Sequence, residues 1–233
     1  MLRPLLSVFL LSLVLSAVLS APIAAEPAAR ILAIGDSLIA WNGPGQKSVA
    51  DVMAQELGEP VKSRAVSGAR IIYGLPITGA LGMRIARQFN PKQPRDWVVL
   101  SGGGNDLWFG CGCNKCERRM GRMISEDGRS GAVVDLVTKI RKTGARVVML
   151  GYLRSPGVNS PIESCRDEGD AYEARLAMMA KRLKGVHFLS NADLVPHGDK
   201  SFHAFDMIHP SIKGSRAIGK RVVELIRRED KGR

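Results

Sequence analysis

The chain has 233 residues, a length that allows one domain or two, and 45% of them are hydrophobic. Its 34 Lys and Arg exceed 22 Asp and Glu, giving a formal charge of +12, which raises nucleic acid as a partner. The basic residues read as scattered among acids and no zinc-finger or RRM-type signature occurs, so we take the charge as a solvated surface; attraction to an anionic envelope polymer or lipid head group is the alternative.

Arg3 is followed by an uncharged apolar run from Leu5 to Leu19 and by small residues through Ala25. That is the plan of a signal peptide cleaved after Ala25, with an uncleaved anchor as the alternative. No cysteine precedes Cys111, which excludes a lipoprotein attachment near this segment. Residues 26–233 are then expected to form a single domain with one sizeable core, exported to the periplasm or secreted.

Beyond the leader, Ile31-Leu32-Ala33-Ile34 reads as a strand within 30–35 that ends in Gly35-Asp36-Ser37-Leu38. A helix is predicted over 47–57, and a second strand over 61–66 leads into Ser67-Gly68. A further helix is expected between Leu81 and Phe89. The apolar run Trp97-Val98-Val99-Leu100, in a strand over 97–102, meets Gly102-Gly103-Gly104-Asn105-Asp106. Helix 130–143, strand 146–151, helix 168–183 and strand 186–190 follow. The loop Asp206-Met207-Ile208-His209-Pro210 then precedes a closing helix over 211–228. Strands alternating with helices indicate a parallel sheet. We expect a three-layer αβα sandwich with five parallel strands in the flavodoxin-like order 2-1-3-4-5.

Chemistry-bearing residues fall at the strand ends, where open α/β folds keep their sites. Ser37 sits on a sharp turn at the mouth of the sheet, beside unpaired backbone N–H groups. His209 is a candidate base for its proton, and Asp206, three residues earlier on one short loop, can turn back to orient the imidazole. Asn105 offers an amide as an oxyanion donor. Gly68 lets its N–H approach a substrate with no Cβ in the way. Asp36 and Asp106 read as braces for the two turns.

Four blocks in this order, from about Ile31 to Ile226, resemble the SGNH (GDSL-type) hydrolase family. The resemblance implies that Ser37 is the nucleophile, that Asp206 and His209 complete the triad, and that Ser37 N–H, Gly68 N–H and the Asn105 amide form the oxyanion hole. It further implies a serine hydrolase of carboxylic esters working through an acyl-enzyme, with no cofactor or metal. We expect a short-acyl or O-acetyl ester of an envelope or extracellular lipid or glycan as substrate, and a monomer. The alternatives are lysophospholipase or thioesterase specificity, or a noncatalytic glycan-binding module on the same fold.

Gly43-Pro44-Gly45-Gln46-Lys47-Ser48 has Gln46 where a phosphate loop needs Gly, and the Gly102 run lacks the dinucleotide spacing. Trp41, Trp108 and Phe109 flank the site in sequence and are candidates either for an acyl pocket or for simple packing. His187 reads as a core residue, while His197 and His203 lie on the loop before Asp206 and read as surface residues, with contact to substrate as the alternative for either. Cys111, Cys113 and Cys116 crowd a loop after Asn105, and Cys165 follows the fourth strand. In an exported protein an even count favours disulfides over a zinc site. One of the first three is expected to pair with Cys165 and the other two locally, Cys111 to Cys113 being disfavoured by its strained ring.

Overall fold

A computed structural model describes residues 29–231; the expected signal peptide over 1–25 lies outside the described residues. Strands β1 (Ile31–Ile34), β2 (Val61–Ser63), β3 (Trp97–Leu100), β4 (Arg146–Leu150) and β5 (Val186–Leu189) pair in parallel in the order β2-β1-β3-β4-β5. Ile31 faces Trp97 and Ile34 faces Leu100 across β1 and β3, while Leu100 faces Met149 across β3 and β4. The carboxyl ends of the central strands are therefore level, and the turns that leave them meet at one edge.

Strands β1 and β3 are unbroken apolar runs because both of their faces are covered. Alternate residues serve opposite layers. Leu32, Ile34, Val98 and Leu100 pack with helices α5 (Glu117–Met123), α6 (Ala132–Arg141) and α7 (Arg166–Arg182). Ile31, Ala33, Trp97 and Val99 pack with α2 (Val49–Leu57) and α8 (Ile212–Lys231). Helix α2 starts at Val49 because Ser48 and Asp51 form a reciprocal capping box there, and it stops at Gly58 in the left-handed region. Edge strand β2 is shorter than its predicted span: Arg64 N–H and Val66 N–H still reach Ala33 O and Gly35 O, but without a regular ladder.

The helix expected between Leu81 and Phe89 does not form. The stretch folds instead as a single turn, α3 (Pro76–Thr78), a wide turn over Gly79–Met83 and a tight turn over Ile85–Arg87. Gly82 breaks it, with φ of 110° and no room for a side chain, since a Cβ would lie 2.9 Å from Val66 Cγ2. The expected cysteine loop forms as a short turn over 112–116 between α4 (Gly104–Cys111), whose last residue is Cys111, and α5.

Candidate active site

The first turn of the site is over-determined. Gly35, at φ 144°, brings the end of β1 so close to β3 that any side chain would collide with Ser101. Gly35 N–H donates to buried Gln88 Oε1 at 2.6 Å, and Gln88 Nε2 returns bonds to Gly35 O and Gly82 O at 2.9 and 2.8 Å. Asp36 caps the short helix α1 (Ser37–Ala40) by accepting from Leu38 N–H at 3.1 Å. The same carboxylate accepts from Ser101 Oγ at 2.8 Å and from Tyr152 Oη at 2.5 Å. Burial holds the Asp36 carboxyl above its usual range, although the bonds from Tyr152, Ser101 and Leu38 favour the ionised form. Asp36 is thus the brace the sequence suggested, and Ser37 opens α1 beside it.

The terminal loop turns back on itself as expected. Met207 takes the left-handed conformation at φ 58°, and Asp206 Oδ1 accepts from Ile208 N–H and His209 N–H, both at 3.0 Å. The other oxygen meets His209 Nδ1 at 2.5 Å. Burial would raise the Asp206 carboxyl, but the bonds from His209 and the loop amides outweigh it and hold the group below the usual carboxylate range. The indole of Trp41 stacks on the His209 ring, with centroids 3.8 Å apart and planes 6° from parallel. The ring is fixed on one edge by a carboxylate and on one face by an aromatic.

The third block is tied to both neighbours. Asn105, on α4, donates through Nδ2 to Ala69 O at 3.1 Å. Asp106 accepts from Ile71 N–H and Ile72 N–H at 2.8 and 2.9 Å, so it fixes the chain that follows Gly68. Burial pushes the Asp106 carboxyl up to about 6, against the pull of those amides and of Arg119 and Arg70. Tyr152 Oη, besides donating to Asp36, accepts from Gly104 N–H at 2.7 Å. One phenol therefore couples the turn carrying Ser37 to the helix carrying Asn105. Gly68, at φ 79°, is in the left-handed region.

Ser37, Gly68, Asn105 and His209 line one cleft of about 740 Å³, and Asp206 stands behind His209. Trp41, Trp108 and Phe109 line it too. His197 also reaches the cleft. His203 departs from its predicted surface placement: it is buried, and burial lowers its pKa although Asp206 pulls the other way. His187 packs against Trp97 at the far end of the sheet.

The model of the GDSL-like lipase/acylhydrolase family matches residues 33–217. The chain belongs to that family. This GDSL-type protein is accordingly an ester hydrolase. Its fold is shared by an acetyl xylan esterase, AlAXEase (TM-score 0.62, 16% identity, 84% of this chain and 98% of that one). A family 3 carbohydrate esterase of Clostridium thermocellum is similar at TM-score 0.55 and 16% identity, covering 84% of this chain and 94% of the other. TesA gives 0.57 and 18% over 82% and 94%. Among curated proteins, none matches the chain in sequence.

In this GDSL hydrolase the four cysteines form two disulfides, Cys111–Cys116 and Cys113–Cys165. The pattern is of the expected kind, a local bond and a bond to Cys165, and the structure assigns Cys113 to the second, which clamps the turn after α4 to the loop before α7; Cys165 itself lines the cleft. The clamp closes a 52-residue separation, so replacing Cys113 and Cys165 with serine is expected to cost about 2–4 kcal/mol in stability. Urea denaturation of the double variant measures this, and an unchanged midpoint would deny the clamp a stabilising role.

Proposed function

We propose that Ser37 is the nucleophile of a Ser37–His209–Asp206 triad. The observation that carries the reading is the tight Asp206–His209 pair standing at the cleft that Ser37 and Asn105 also line. Ser37 Oγ attacks the ester carbonyl while His209 Nε2 takes its proton. Asp206 accepts from His209 Nδ1–H, keeps the opposite nitrogen basic and stabilises the imidazolium that forms. Negative charge on the carbonyl oxygen is met by the N–H groups of Ser37 and Gly68 and by the Asn105 amide. Collapse of the tetrahedral intermediate gives the acyl-Ser37 ester and sends the proton from His209 to the departing alcohol. Water then attacks the acyl-enzyme with His209 again as base, and Ser37 is regenerated as the acid leaves.

For the substrate we favour short-acyl or O-acetyl esters of extracytoplasmic lipids or glycans. An acetyl group would fill little of a 740 Å³ cleft and leave the remainder for a bulky alcohol portion, against which Trp41 and Trp108 offer flat apolar faces. Likeness of fold to the two carbohydrate esterases is in keeping with this, and two disulfides favour work in an oxidising compartment. The test is a panel of p-nitrophenyl esters of graded chain length beside acetylated glycans. Rates highest on acetyl and falling with length support the reading, whereas a maximum at long acyl chains moves the enzyme to the lysophospholipase or thioesterase class.

The Trp41 stack yields a further expectation. Restraint of the His209 ring by an aromatic face is worth about 0.5–1.5 kcal/mol, so Trp41→Ala is expected to lower kcat/KM about 3–10-fold, with Trp41→Phe recovering much of it. Steady-state kinetics on a soluble acetyl ester measures both variants, and wild-type rates in the alanine variant would limit Trp41 to packing.

A further inference from the structure

Among the described residues, seven large hydrophobic side chains are exposed; three line the cleft or the groove beside it, and three more stand on the loop that follows Gly68. Phe109 lines the cleft itself, while Phe205 and Ile212 line an adjoining groove that shares Trp41 and Ser67 with it. Leu75, Ile77 and Leu81, 63%, 77% and 76% exposed, project from the loop that leaves and rejoins the chain beside Gly68. The Met83 methyl at the loop's return lies 3.5 Å from where a side chain on Gly68 would begin.

That loop is held at its stem. Arg70 N–H donates to Met83 O at 2.9 Å and Ile85 N–H to Arg70 O at 3.0 Å. Arg84 donates through Nε and Nη2 to Tyr73 O at 2.9 and 2.6 Å. The aliphatic side chains are thus displayed on a braced element, although nothing in the core needs them. An apolar patch of this kind, concentrated at one mouth, marks an interaction surface.

Its charge setting narrows the partner. Between Glu59 and Asp96 the chain carries seven Lys and Arg and no carboxylate. None of the seven forms a salt bridge with a described residue. Arg70 and Arg84 sit in the stem and exposed Arg87 follows it. Aliphatic tips beside the arginines of the loop stem match an anionic lipid interface, where Leu and Ile enter the acyl boundary and Arg stays among the head groups. An anionic polysaccharide would satisfy the cations but offer nothing to the aliphatic side chains.

We propose that this rim seats the enzyme on an anionic phospholipid surface, through Leu75, Ile77 and Leu81, with the cleft opening alongside. The proposal does not depend on which ester is cleaved. Flotation of the purified protein with vesicles tests it. Wild type is expected to bind phosphatidylcholine vesicles containing phosphatidylglycerol at least about 10-fold more strongly than pure phosphatidylcholine, with the difference shrinking as salt rises. Replacing Leu75, Ile77 and Leu81 together with serine is expected to reduce binding about 10-fold or more, while hydrolysis of soluble p-nitrophenyl acetate and thermal stability stay unchanged. Ile77→Trp provides a reading with the apolar surface preserved: the emission of the added indole, taken as the difference from wild type, is expected to shift to the blue with the mixed vesicles. Wild type that ignores the mixed vesicles, a triple variant that floats like wild type, or an added indole whose emission is indifferent to lipid each overturns the proposal. So does retention on an anionic polysaccharide, or dimer formation, in protein that does not bind vesicles.

Discussion

Ser37→Ala is expected to lower kcat for ester hydrolysis by about 10⁴-fold or more while leaving the fold intact. The turn is held by Gln88, Ser101, Tyr152 and the Asp36 carboxylate, so deleting the hydroxyl removes none of its anchors. Circular dichroism and a melting curve should overlay those of wild type, and labelling by a fluorophosphonate should vanish with activity. Near wild-type turnover in the purified variant would remove Ser37, and the triad with it. The acid limb of the pH profile provides a companion reading. Asp206 lies below the usual carboxylate range, so it stays ionised where an imidazole titrates. The stability it supplies is present above the ordinary carboxylate pKa and is lost only as pH falls through its depressed value. Asp206 therefore adds no step of its own to the acid limb, and kcat/KM should fall with acid as the general base takes up its proton and as the Asp106 carboxyl, pushed up to about 6, loosens its hold on the chain after Gly68. A flat acid limb would contradict the assignment of His209 as the base.

What the sequence reveals of this fold is what local chemistry writes into short stretches. Ile31–Ile34 and Trp97–Leu100 are legible as strands because burial on both faces demands unbroken apolar runs, and the turns after them are legible because Gly35 and Gly102–Gly104 sit where the backbone needs glycine. Asp206 and His209 are close enough in sequence to signal their pairing. The braces are not. Tyr152 reaches Asp36 across 116 positions, Ser101 across 65 and Gln88 reaches Gly35 across 53. Tyr152 and Gln88 are lone polar residues with no motif around them, and Ser101, although it adjoins the Gly102 block, carries no sign of its partner. The stretch after Gly68 misleads for a different reason: its apolar residues suggest a helix, yet Gly82 and the space beside Val66 set its course. Reading the cations as evenly scattered likewise hides the acid-free span from 60 to 95, which gains meaning once the aliphatic loop is seen to rise from it.

Asn105→Ala is expected to lower kcat about 10²–10³-fold with a smaller change in KM, since an oxyanion donor acts chiefly when charge develops on the carbonyl oxygen. The complication is that Asn105 also donates to Ala69 O, so its loss removes a tie to the chain after Gly68. Asp106 separates the two effects. Its carboxylate holds Ile71 and Ile72 N–H from the next position on the same helix, yet its side chain is buried away from the cleft. Asp106→Asn leaves one of those amides without a full acceptor and should loosen the same loop, lowering thermal stability. If Asn105 serves only as a tie, its alanine variant will resemble Asp106→Asn, with a lowered melting temperature and kcat falling in proportion. If it binds the oxyanion, kcat will collapse in a protein whose melting temperature moves far less than that of Asp106→Asn, and binding of a tetrahedral boronic acid inhibitor will weaken in step with kcat. A large loss of stability with unchanged inhibitor affinity would return Asn105 to a structural role and leave the oxyanion to the N–H groups of Ser37 and Gly68.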